Sequence, residues 1–300
     1  MFYVHINTQF DLYNFARNQL IKNPKPLIEL ENYFINHLYK CIESNLLEIK
    51  ADYNEASYLY PFWKNYPPDD RGRQPIMDQY PWIEVGEHAV GCKLPRLLAQ
   101  SFNINDPGIP TGTDQRLLLS NNEIELITNN LTNTAWLFID IKSVGPRDDH
   151  SHSVMSHNQI SGDGFWENPD VGILNTTLKA TGKRKSHNFH SSLPPLFILS
   201  NGTITPVIIV VLKLVYSMLK TTQPNLRNNG QPLIRIDLAC IPNGILLTKN
   251  PAYLQTYPQL LFPGKDDKSK DPRKLRTRVN FEILRKIDSW RYRSVQTSYP

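Results

Sequence analysis

The first 50 residues space their apolar side chains at the period of an α-helix. Leu27, Leu30, Phe34 and Leu38 recur at steps of three and four residues, which places them on one face of a helix. Few helix-breaking residues interrupt this stretch. Residues 1–50 are therefore predicted to be helical.

A second helical pattern covers residues 82–102. Ile83, Val90, Leu94 and Leu97 can share one face of a helix. This pattern follows directly on a proline-rich segment, so the helix is expected to begin near residue 82.

Four later segments have the length and composition of β-strands. Residues 108–119 lead from a Gly/Pro-rich turn into an apolar strand, and residues 135–145 form a short buried run that ends at a turn signal. Residues 194–219 predict a β-hairpin that turns at Asn201-Gly202, and residues 233–241 alternate as a strand does. Strands interleaved with helices predict an α/β or α+β domain around one central sheet.

Three segments lack this periodicity. Residues 60–81 contain five prolines and predict an irregular loop, and long loops in compact domains are often functional. Residues 149–192 are rich in His, Ser, Asn and Gly and predict a surface excursion, while residues 265–278 form a charge-dense loop. Since no composition break divides the chain, residues 1–300 are expected to form a single domain.

Composition narrows the function only slightly. Thirty-three Lys and Arg against 28 Asp and Glu give a net charge of +5, which many soluble proteins share. The three cysteines lie far apart and suit a reducing cytoplasm. No signal-peptide pattern starts the chain, and the longest apolar run, residues 207–212, is too short to span a membrane. A cytoplasmic protein is expected.

The informative chemistry is the Asp140-Ile141-Lys142 triplet on the strand predicted at residues 135–145. Residues i and i+2 of a strand share a face, so Asp140 and Lys142 point the same way while Ile141 points into the core. If the strand that bears Asp114 lies alongside, two carboxylates and one ammonium converge. Such a set suits phosphodiester hydrolysis, because carboxylates bind hard divalent cations and an ammonium offsets developing charge.

The spacing alone leaves other interpretations open. An Asp-x-Lys triplet at the end of a strand is common, and in most proteins it is a solvated edge or a simple ion pair. The presence of Asp114 upstream raises the case for catalysis without deciding it.

A wider resemblance adds to this pattern. The sequence resembles the PD-(D/E)xK superfamily of nucleases and, within it, type II restriction endonucleases. The similarity is carried by blocks that keep the same order along the chain: residues 51–68, 81–94, 108–119, 138–148, 193–207, 241–244 and 262–267. Residues 1–50 and 149–192 match less well. The implied fold is α/β, a restriction-endonuclease-like core with a central mixed β-sheet flanked by helices.

Carried over to this sequence, the resemblance implies a Mg²⁺-dependent active site. Asp114 and Asp140 would bind Mg²⁺ together with the backbone carbonyl of Ile141, and Lys142 would be the catalytic lysine. Asp114 follows Thr113 where the family pattern often has proline, and that proline supplies no chemistry. No organic cofactor is expected.

Glu87 on the preceding helix resembles a glutamate that supports the metal site in several members of the superfamily. A solvent-facing helix carboxylate is the alternative for Glu87, and more strongly so for Glu84 one turn earlier.

The resemblance also implies a set of side chains that read DNA bases. Arginine and lysine suit guanine, and aspartate can accept a hydrogen bond from cytosine. For an isolated charge run, a solvated surface or a nonspecific phosphate patch is the alternative. The matching positions are Arg73, Asp148, Lys265, Asp267, Arg276 and Arg278. The last four fall within residues 262–280, which are expected to form a DNA-reading loop and strand, and residues 278–284 are expected to continue that strand.

These positions imply the interrupted palindrome GCCNNNNNGGC, cut to leave 3′ overhangs in double-stranded DNA. A palindrome read by one chain type requires a two-fold homodimer. The rival hypotheses are a nuclease with another recognition sequence or a structure-specific repair role, and a DNA-binding protein that has lost catalysis.

The histidines of the 149–192 segment form no standard zinc pattern and have no cysteine beside them. They are expected to be polar loop residues: His150, His152, His157, His187 and His190.

Overall fold

A computed structural model describes residues 5–58, 82–105, 108–109, 112–146, 148–217, 232–264, 271 and 275–297, with the backbone alone for residues 58 and 82–85. Within these ranges, no helix is long and apolar enough to cross a bilayer.

The N-terminal part is helical, as the spacing of its apolar residues predicts. It forms α1 (Ile6–Lys22), α2 (Lys25–Ser44) and α3 (Leu46–Tyr58). Leu27, Leu30, Phe34 and Leu38 are all buried on the predicted face of α2.

The helical pattern that follows is divided into two short helices. They are α4 (Trp82–Ala89) and α5 (Leu94–Leu98), separated by a 3₁₀ turn at Gly91–Lys93. Pro95 lies in the first turn of α5, where its missing N–H breaks no hydrogen bond of the helix. Leu94 and Leu97 are buried, as their spacing predicts.

A seven-stranded mixed sheet forms the centre of the molecule. Its order is β1-β2-β3-β10-β11-β14, and β9 pairs with β10. Strands β3 and β10 run parallel, and the other pairs are antiparallel. The bounds are β1 (Asn103–Asn105), β2 (Gln115–Ser120), β3 (Thr134–Val144), β9 (Leu196–Ile198), β10 (Ile204–Tyr216), β11 (Leu233–Ile241) and β14 (Tyr292–Gln296).

The predicted strands are confirmed at β2, β3 and β11, and the predicted hairpin at β9 and β10. Gly202 adopts a positive φ of 84° in the connecting turn, a conformation that favours glycine.

Within the described residues, seven further strands lie outside the central sheet. They form a three-stranded sheet in the order β12-β13-β4 and two hairpins, β5-β6 and β7-β8. Their bounds are β4 (His152–Met155), β5 (Gly164–Trp166), β6 (Ile173–Asn175), β7 (Thr177–Thr181), β8 (Ser186–His190), β12 (Leu261–Pro263) and β13 (Thr277–Asn280). Short helices complete the described chain: α6 (Asn122–Ile127), α7 (Gly244–Thr248), α8 (Tyr253–Thr256), α9 (Phe281–Ile287) and a 3₁₀ turn at Ser289–Arg291.

The central sheet separates two hydrophobic cores. Helices α1 and α2 pack on one face in the first core, while α9 and the smaller sheets cover the other face in the second core. Strand β3 shares its side chains between the two: Leu137 and Ile139 enter the first core, and Trp136 and Phe138 the second. A sheet covered on both faces explains why β3 and β10 are almost continuously apolar.

The 149–192 segment is more ordered and more buried than the predicted surface excursion. Met155, Leu178 and Phe189 are fully buried in the second core. Strand β4, at the start of the segment, pairs with β13 far along the chain. The strands of the 149–192 segment are three to five residues long, so the alternation of apolar and polar residues is too short to detect among so many polar residues.

Candidate active site

The alternation of β3 places its polar residues together on one face. Ile139 and Ile141 are buried in the first core, so Asp140 and Lys142 lie on the opposite face with Trp136 and Phe138. The Asp140 side chain is fully buried, and the Lys142 side chain is 33% exposed. The predicted common direction of Asp140 and Lys142 is confirmed.

Asp114 lies directly before β2 and extends its pairing with β3. Its backbone N–H donates to the carbonyl of Ile139 at 3.1 Å, and its Oδ2 accepts the N–H of Ile141 at 2.6 Å. The N–H and C=O of one strand residue point to the same edge, so the Ile141 carbonyl also faces the edge where β2 has ended. The Asp114 carboxylate and the Ile141 backbone are therefore neighbours.

The turn before Asp114 is held by hydrogen bonds, although it lacks the proline of the family pattern. Thr113 is buried, and its carbonyl accepts a 2.6 Å hydrogen bond from Nη1 of Arg116. Hydrogen bonding thus fixes the backbone here with threonine in place of proline.

Gln159 joins this site, although sequence analysis does not identify it. Its Nε2 donates to Oδ1 of Asp140 at 2.6 Å and to the carbonyl of Gly112 at 2.7 Å. It therefore links β3 to the turn before Asp114. Gln159 lies in the polar, aperiodic 149–192 segment, where no spacing distinguishes it from its neighbours.

The electrostatics of Asp140 are dominated by burial. Burial raises the pKa of Asp140 to about 6, while Lys142 lowers it and the nearby Asp114 carboxylate raises it further. Nζ of Lys142 donates to Oδ1 of Asp140 at 2.8 Å. Oδ2 of Asp140 is buried and has no hydrogen-bond partner among the residues that the structure describes.

This donor set fits a hard divalent cation. The carboxylates of Asp114 and Asp140 and the carbonyl of Ile141 offer oxygen ligands, which Mg²⁺ and Ca²⁺ prefer, and Oδ2 of Asp140 has no partner among the described residues. Mg²⁺ commonly uses one or two carboxylates and keeps several waters. In the described part of the chain, no group of three or more His, Cys, Asp and Glu side chains is placed to hold a metal.

Glu87 is half-buried on α4 and is not gathered with Asp114 and Asp140 into such a group. Helix α4 packs on the face of β3 opposite to Asp140: a Cβ on Gly86 would lie 2.4 Å from Oγ of Ser143. A supporting role of Glu87 at the metal site stays a prediction.

The small sheet β12-β13-β4 presents one partly exposed face. Arg278 on β13 is paired in register with Phe262 and Val154, and His152 lies opposite Asn280. These five side chains are partly exposed, while the residues between them are buried. Arg278 is held by a 2.8 Å hydrogen bond to the carbonyl of Pro263 and lies over the Phe262 ring. We refer to this surface as the reading face, after the base-reading role that is expected of Arg278.

Arg276 precedes β13, and β13 is shorter than the sequence suggests. The expected strand continues through residues 278–284, but the structure ends it at Asn280 and begins α9 at Phe281. Oδ1 of Asn280 accepts the N–H groups of Glu282 and Ile283, so this side chain caps the helix.

Asp148 is exposed in the turn that follows β3. Its Oδ2 accepts the N–H of Gly145 at 2.8 Å, and its own N–H donates to the carbonyl of Gly145 at 3.1 Å. Asp148 thus lies in a turn between β3 and β4 that these two hydrogen bonds stabilise. The other proposed base readers, Arg73, Lys265 and Asp267, lie outside the described residues.

Comparison with known proteins identifies the family. A family model for restriction endonuclease BglI matches residues 8–295. The chain is 45% identical over 291 residues to the type II restriction enzyme BglI of Bacillus subtilis, and the match covers 96% of both sequences. The chain belongs to the BglI restriction endonuclease family. By this membership it is a type II restriction endonuclease.

Solved structures agree with this assignment. The chain matches a crystal structure of the restriction endonuclease BglI bound to its DNA recognition sequence, with a TM-score of 0.90 and 43% identity over 100% of both chains. It also matches the tetrameric restriction endonuclease SfiI bound to cognate DNA, with a TM-score of 0.58 and 13% identity over 91% of this chain and 85% of that chain. The SfiI likeness shows a shared fold. The expected restriction-endonuclease-like core with a central mixed sheet is confirmed.

The buried carboxylate of Asp140 predicts a cost to folding at neutral pH. Its pKa is raised from 3.8 to about 6, so the contribution of Asp140 to folding stability is greatest below pH 3.8 and is lost as the pH rises through about 6. The shift corresponds to about 3 kcal/mol at most. In EDTA at pH 7, Asp140→Asn should therefore raise the free energy of unfolding measured with urea. The substitution removes the carboxylate that pairs with Lys142, but the Lys142 side chain is 33% exposed and its charge can be solvated by water.

The matched control is Asp170→Asn, which removes an exposed carboxylate. It should leave the free energy of unfolding unchanged. A loss of stability in Asp140→Asn at pH 7 without metal would contradict the burial argument.

Proposed function

We propose that this enzyme cleaves double-stranded DNA at an interrupted palindrome, acting as a homodimer with Mg²⁺ as its cofactor. In this proposal Asp114, Asp140 and the carbonyl of Ile141 hold the metal ion, and Lys142 acts as the catalytic lysine. The chain acts as a single endonuclease domain in the cytoplasm of a bacterium or archaeon. Its three cysteines, Cys41, Cys92 and Cys240, are free, which suits that compartment.

The observation that carries the proposal is the meeting of two carboxylates and one ammonium beside the first residue of β2. Burying an acid without a partner is costly, and Oδ2 of Asp140 is buried without one in the described part of the chain. Bound Mg²⁺ would offset that cost and supply Lewis-acid polarisation of the scissile phosphate. The chemistry of the site thus favours a metal-dependent hydrolase over a DNA-binding protein that has lost catalysis.

The chain's own groups have separate tasks in this mechanism. Asp114 is oriented by the Ile141 N–H, and Asp140 by Lys142 and Gln159. The Lys142 ammonium is partly exposed beside the carboxylates, where it can offset negative charge that develops on the phosphate in the transition state. Since these groups are held before DNA arrives, little reorganisation is needed at the moment of reaction.

Sequence recognition is assigned to the side of the sheet that also carries Asp140. Arg278 on the reading face, Arg276 beside it and Asp148 in the adjoining turn are proposed to contact base edges, together with Arg73, Lys265 and Asp267. Arginine and lysine suit the O6 and N7 of guanine, and aspartate suits the amino group of cytosine. This set favours G·C pairs, in keeping with the proposed target GCCNNNNNGGC.

A homodimer follows from the symmetry of that target. Two identical half-sites are read by two identical subunits related by a two-fold axis. Cleavage with 3′ overhangs is proposed for the unspecified centre of the site. The structurally similar SfiI is tetrameric, so sedimentation on a duplex with one site would test whether two subunits of this enzyme bind.

Digestion of plasmid DNA tests the function directly. The enzyme should cut with Mg²⁺ and not with EDTA, and sequencing of the ends should return GCCNNNNNGGC. Absence of cutting by the wild-type enzyme would refute the proposed activity. Cutting at an unrelated sequence would refute only the proposed target, and cutting directed by DNA structure would favour a repair role.

Lys142→Ala should abolish plasmid cleavage while site-specific binding in Ca²⁺ persists, because Lys142 is assigned to the chemical step. Binding is measured by gel shift on a duplex that carries the wild-type cleavage site. The control is Lys179→Ala, which removes an exposed lysine on β7 and should change neither measurement. Loss of binding in Lys142→Ala would assign this residue to complex formation.

Arg278→Ala should lower discrimination at one base pair by about 1–3 kcal/mol. The measurement compares binding in Ca²⁺ to duplexes altered at each position of one half-site. Arg184→Ala, at an exposed turn between β7 and β8, is the control. Equal weakening on every duplex would identify Arg278 as a phosphate contact.

A further inference from the structure

Strand β10 carries one charged residue, and that residue is buried. Lys213 interrupts a strand of 13 residues that is otherwise apolar apart from threonine and tyrosine. It is 2% exposed and belongs to the face of the sheet that also bears Asp140 and Lys142. The proposed cleavage mechanism gives Lys213 no task, so its burial needs a separate explanation.

The ammonium of Lys213 binds the segment between β3 and the reading face. Strand β3 is called the catalytic strand below, because it carries Asp140 and Lys142. Its Nζ donates to the carbonyl of Asp149 at 3.2 Å, to that of His150 at 3.5 Å and to that of His152. All three carbonyls lie between the turn that projects Asp148 and the first residue of β4. One side chain thus fixes the path of the backbone at the entrance to the reading face.

The same ammonium also contacts the exit from β13. It lies 4.8 Å from the centre of the Phe281 ring, and the Phe281 N–H donates to the carbonyl of Ser151 at 3.0 Å. Phe281 follows Asn280, the last residue of β13. Lys213 therefore lies between the beginning of β4 and the end of β13, which are paired strands of the reading face.

The register of the central sheet connects these contacts to the active site. The Cα of Lys213 is paired with that of Lys142 on β3 and with that of Asp237 on β11. A movement of Lys213 relative to the reading face is therefore a movement of the catalytic strand as well. Strand β10 is paired with β3 from Val207 to Val215, so Lys213 lies well inside this pairing.

Neighbouring polar groups make the buried charge tolerable. The carboxylate of Asp237 compensates it across the strands, although burial still lowers the pKa of Lys213 to about 8. Asp237 also accepts from Arg235 at 2.8 Å and from Ser294 at 2.6 Å. An aliphatic side chain would avoid the cost of burying a charge, and the three carbonyls that Lys213 orients offer a reason for the charge at this position.

We propose that Lys213 is a positioning residue that sets the reading face relative to the catalytic strand, so that base recognition is coupled to cleavage. This inference rests on the proposed function, because it takes Arg278 and Asp148 as base readers. Its structural part, the fixing of residues 149–152 by Lys213, is independent of any activity.

Lys213→Met tests the proposal, because methionine keeps the length and apolar stem of the side chain and removes the donor. Discrimination between the cognate duplex and a duplex with one altered G·C pair, measured in Ca²⁺, should fall about 2- to 30-fold. Hydrogen exchange of the amides at residues 151–154 and 277–281 should become faster in the DNA-free protein. Both effects are compared with those of the wild-type protein, and the cognate duplex carries the sequence that the wild-type enzyme cuts.

The matched control is Arg17→Met, which breaks the ion pair of Arg17 with the buried carboxylate of Asp163, away from the reading face. This variant should lower the free energy of unfolding without changing discrimination or the exchange of these amides. An equal loss of discrimination in both variants would make Lys213 a residue of general stability and overturn the proposal.

Further outcomes are also decisive. Wild-type discrimination and wild-type exchange in a folded Lys213→Met would overturn the proposal. If Lys213→Met does not unfold cooperatively, Lys213→Gln, which keeps an N–H donor without the charge, takes its place, and failure of both variants to fold would likewise overturn it. If the wild-type enzyme neither cuts nor binds DNA, the proposed function fails, and hydrogen exchange alone still decides whether Lys213 fixes this segment.

Discussion

The two-residue alternation of β3 between two hydrophobic cores is the constraint on which the site depends. Helices fill one face of the strand, and the smaller sheets with α9 fill the other. With Ile139 and Ile141 fixed in the first core, Asp140 and Lys142 have only the second face available. A slip of one residue in register would bury Lys142 among the helices and turn Ile141 towards the site.

Burial makes this arrangement electrostatically demanding. Asp140 is fully buried, and its raised pKa reflects an environment that disfavours its charge in the absence of a metal ion. Lys142 and Gln159 hold one carboxylate oxygen, while the other has no hydrogen-bond partner in the described part of the chain. The buried carboxylate therefore lowers the stability of the fold relative to an apolar side chain, and its Oδ2 is positioned to bind a cation. Functional sites commonly lower stability in this way.

Catalysis and recognition are proposed for the same side of the central sheet because the chain passes directly from one to the other. Strand β3 leads into the turn of Asp148, and that turn leads into β4, whose partner β13 carries Arg278. The short connection limits how far the two parts can move apart. Lys213 contacts the segment between them through the carbonyls of Asp149, His150 and His152.

The sequence by itself determined the local features of this protein: the helical N-terminal part, the strands β2, β3 and β11, the hairpin at Gly202, and the common direction of Asp140 and Lys142. Such features depend on periodicity and turn chemistry within a few residues. Together with the resemblance of its ordered blocks, the sequence also determined the family.

Only the tertiary structure decided that Gln159 reaches Asp140, that Lys213 contacts the backbone at the start of the reading face, and that the 149–192 segment helps to form the second core. These contacts join residues far apart in the chain, and the spacing of polar residues carries no signal for long-range pairing. The end of β13 at Asn280 also required the structure, because a capping side chain there favours a helix over the strand that residues 278–284 suggest.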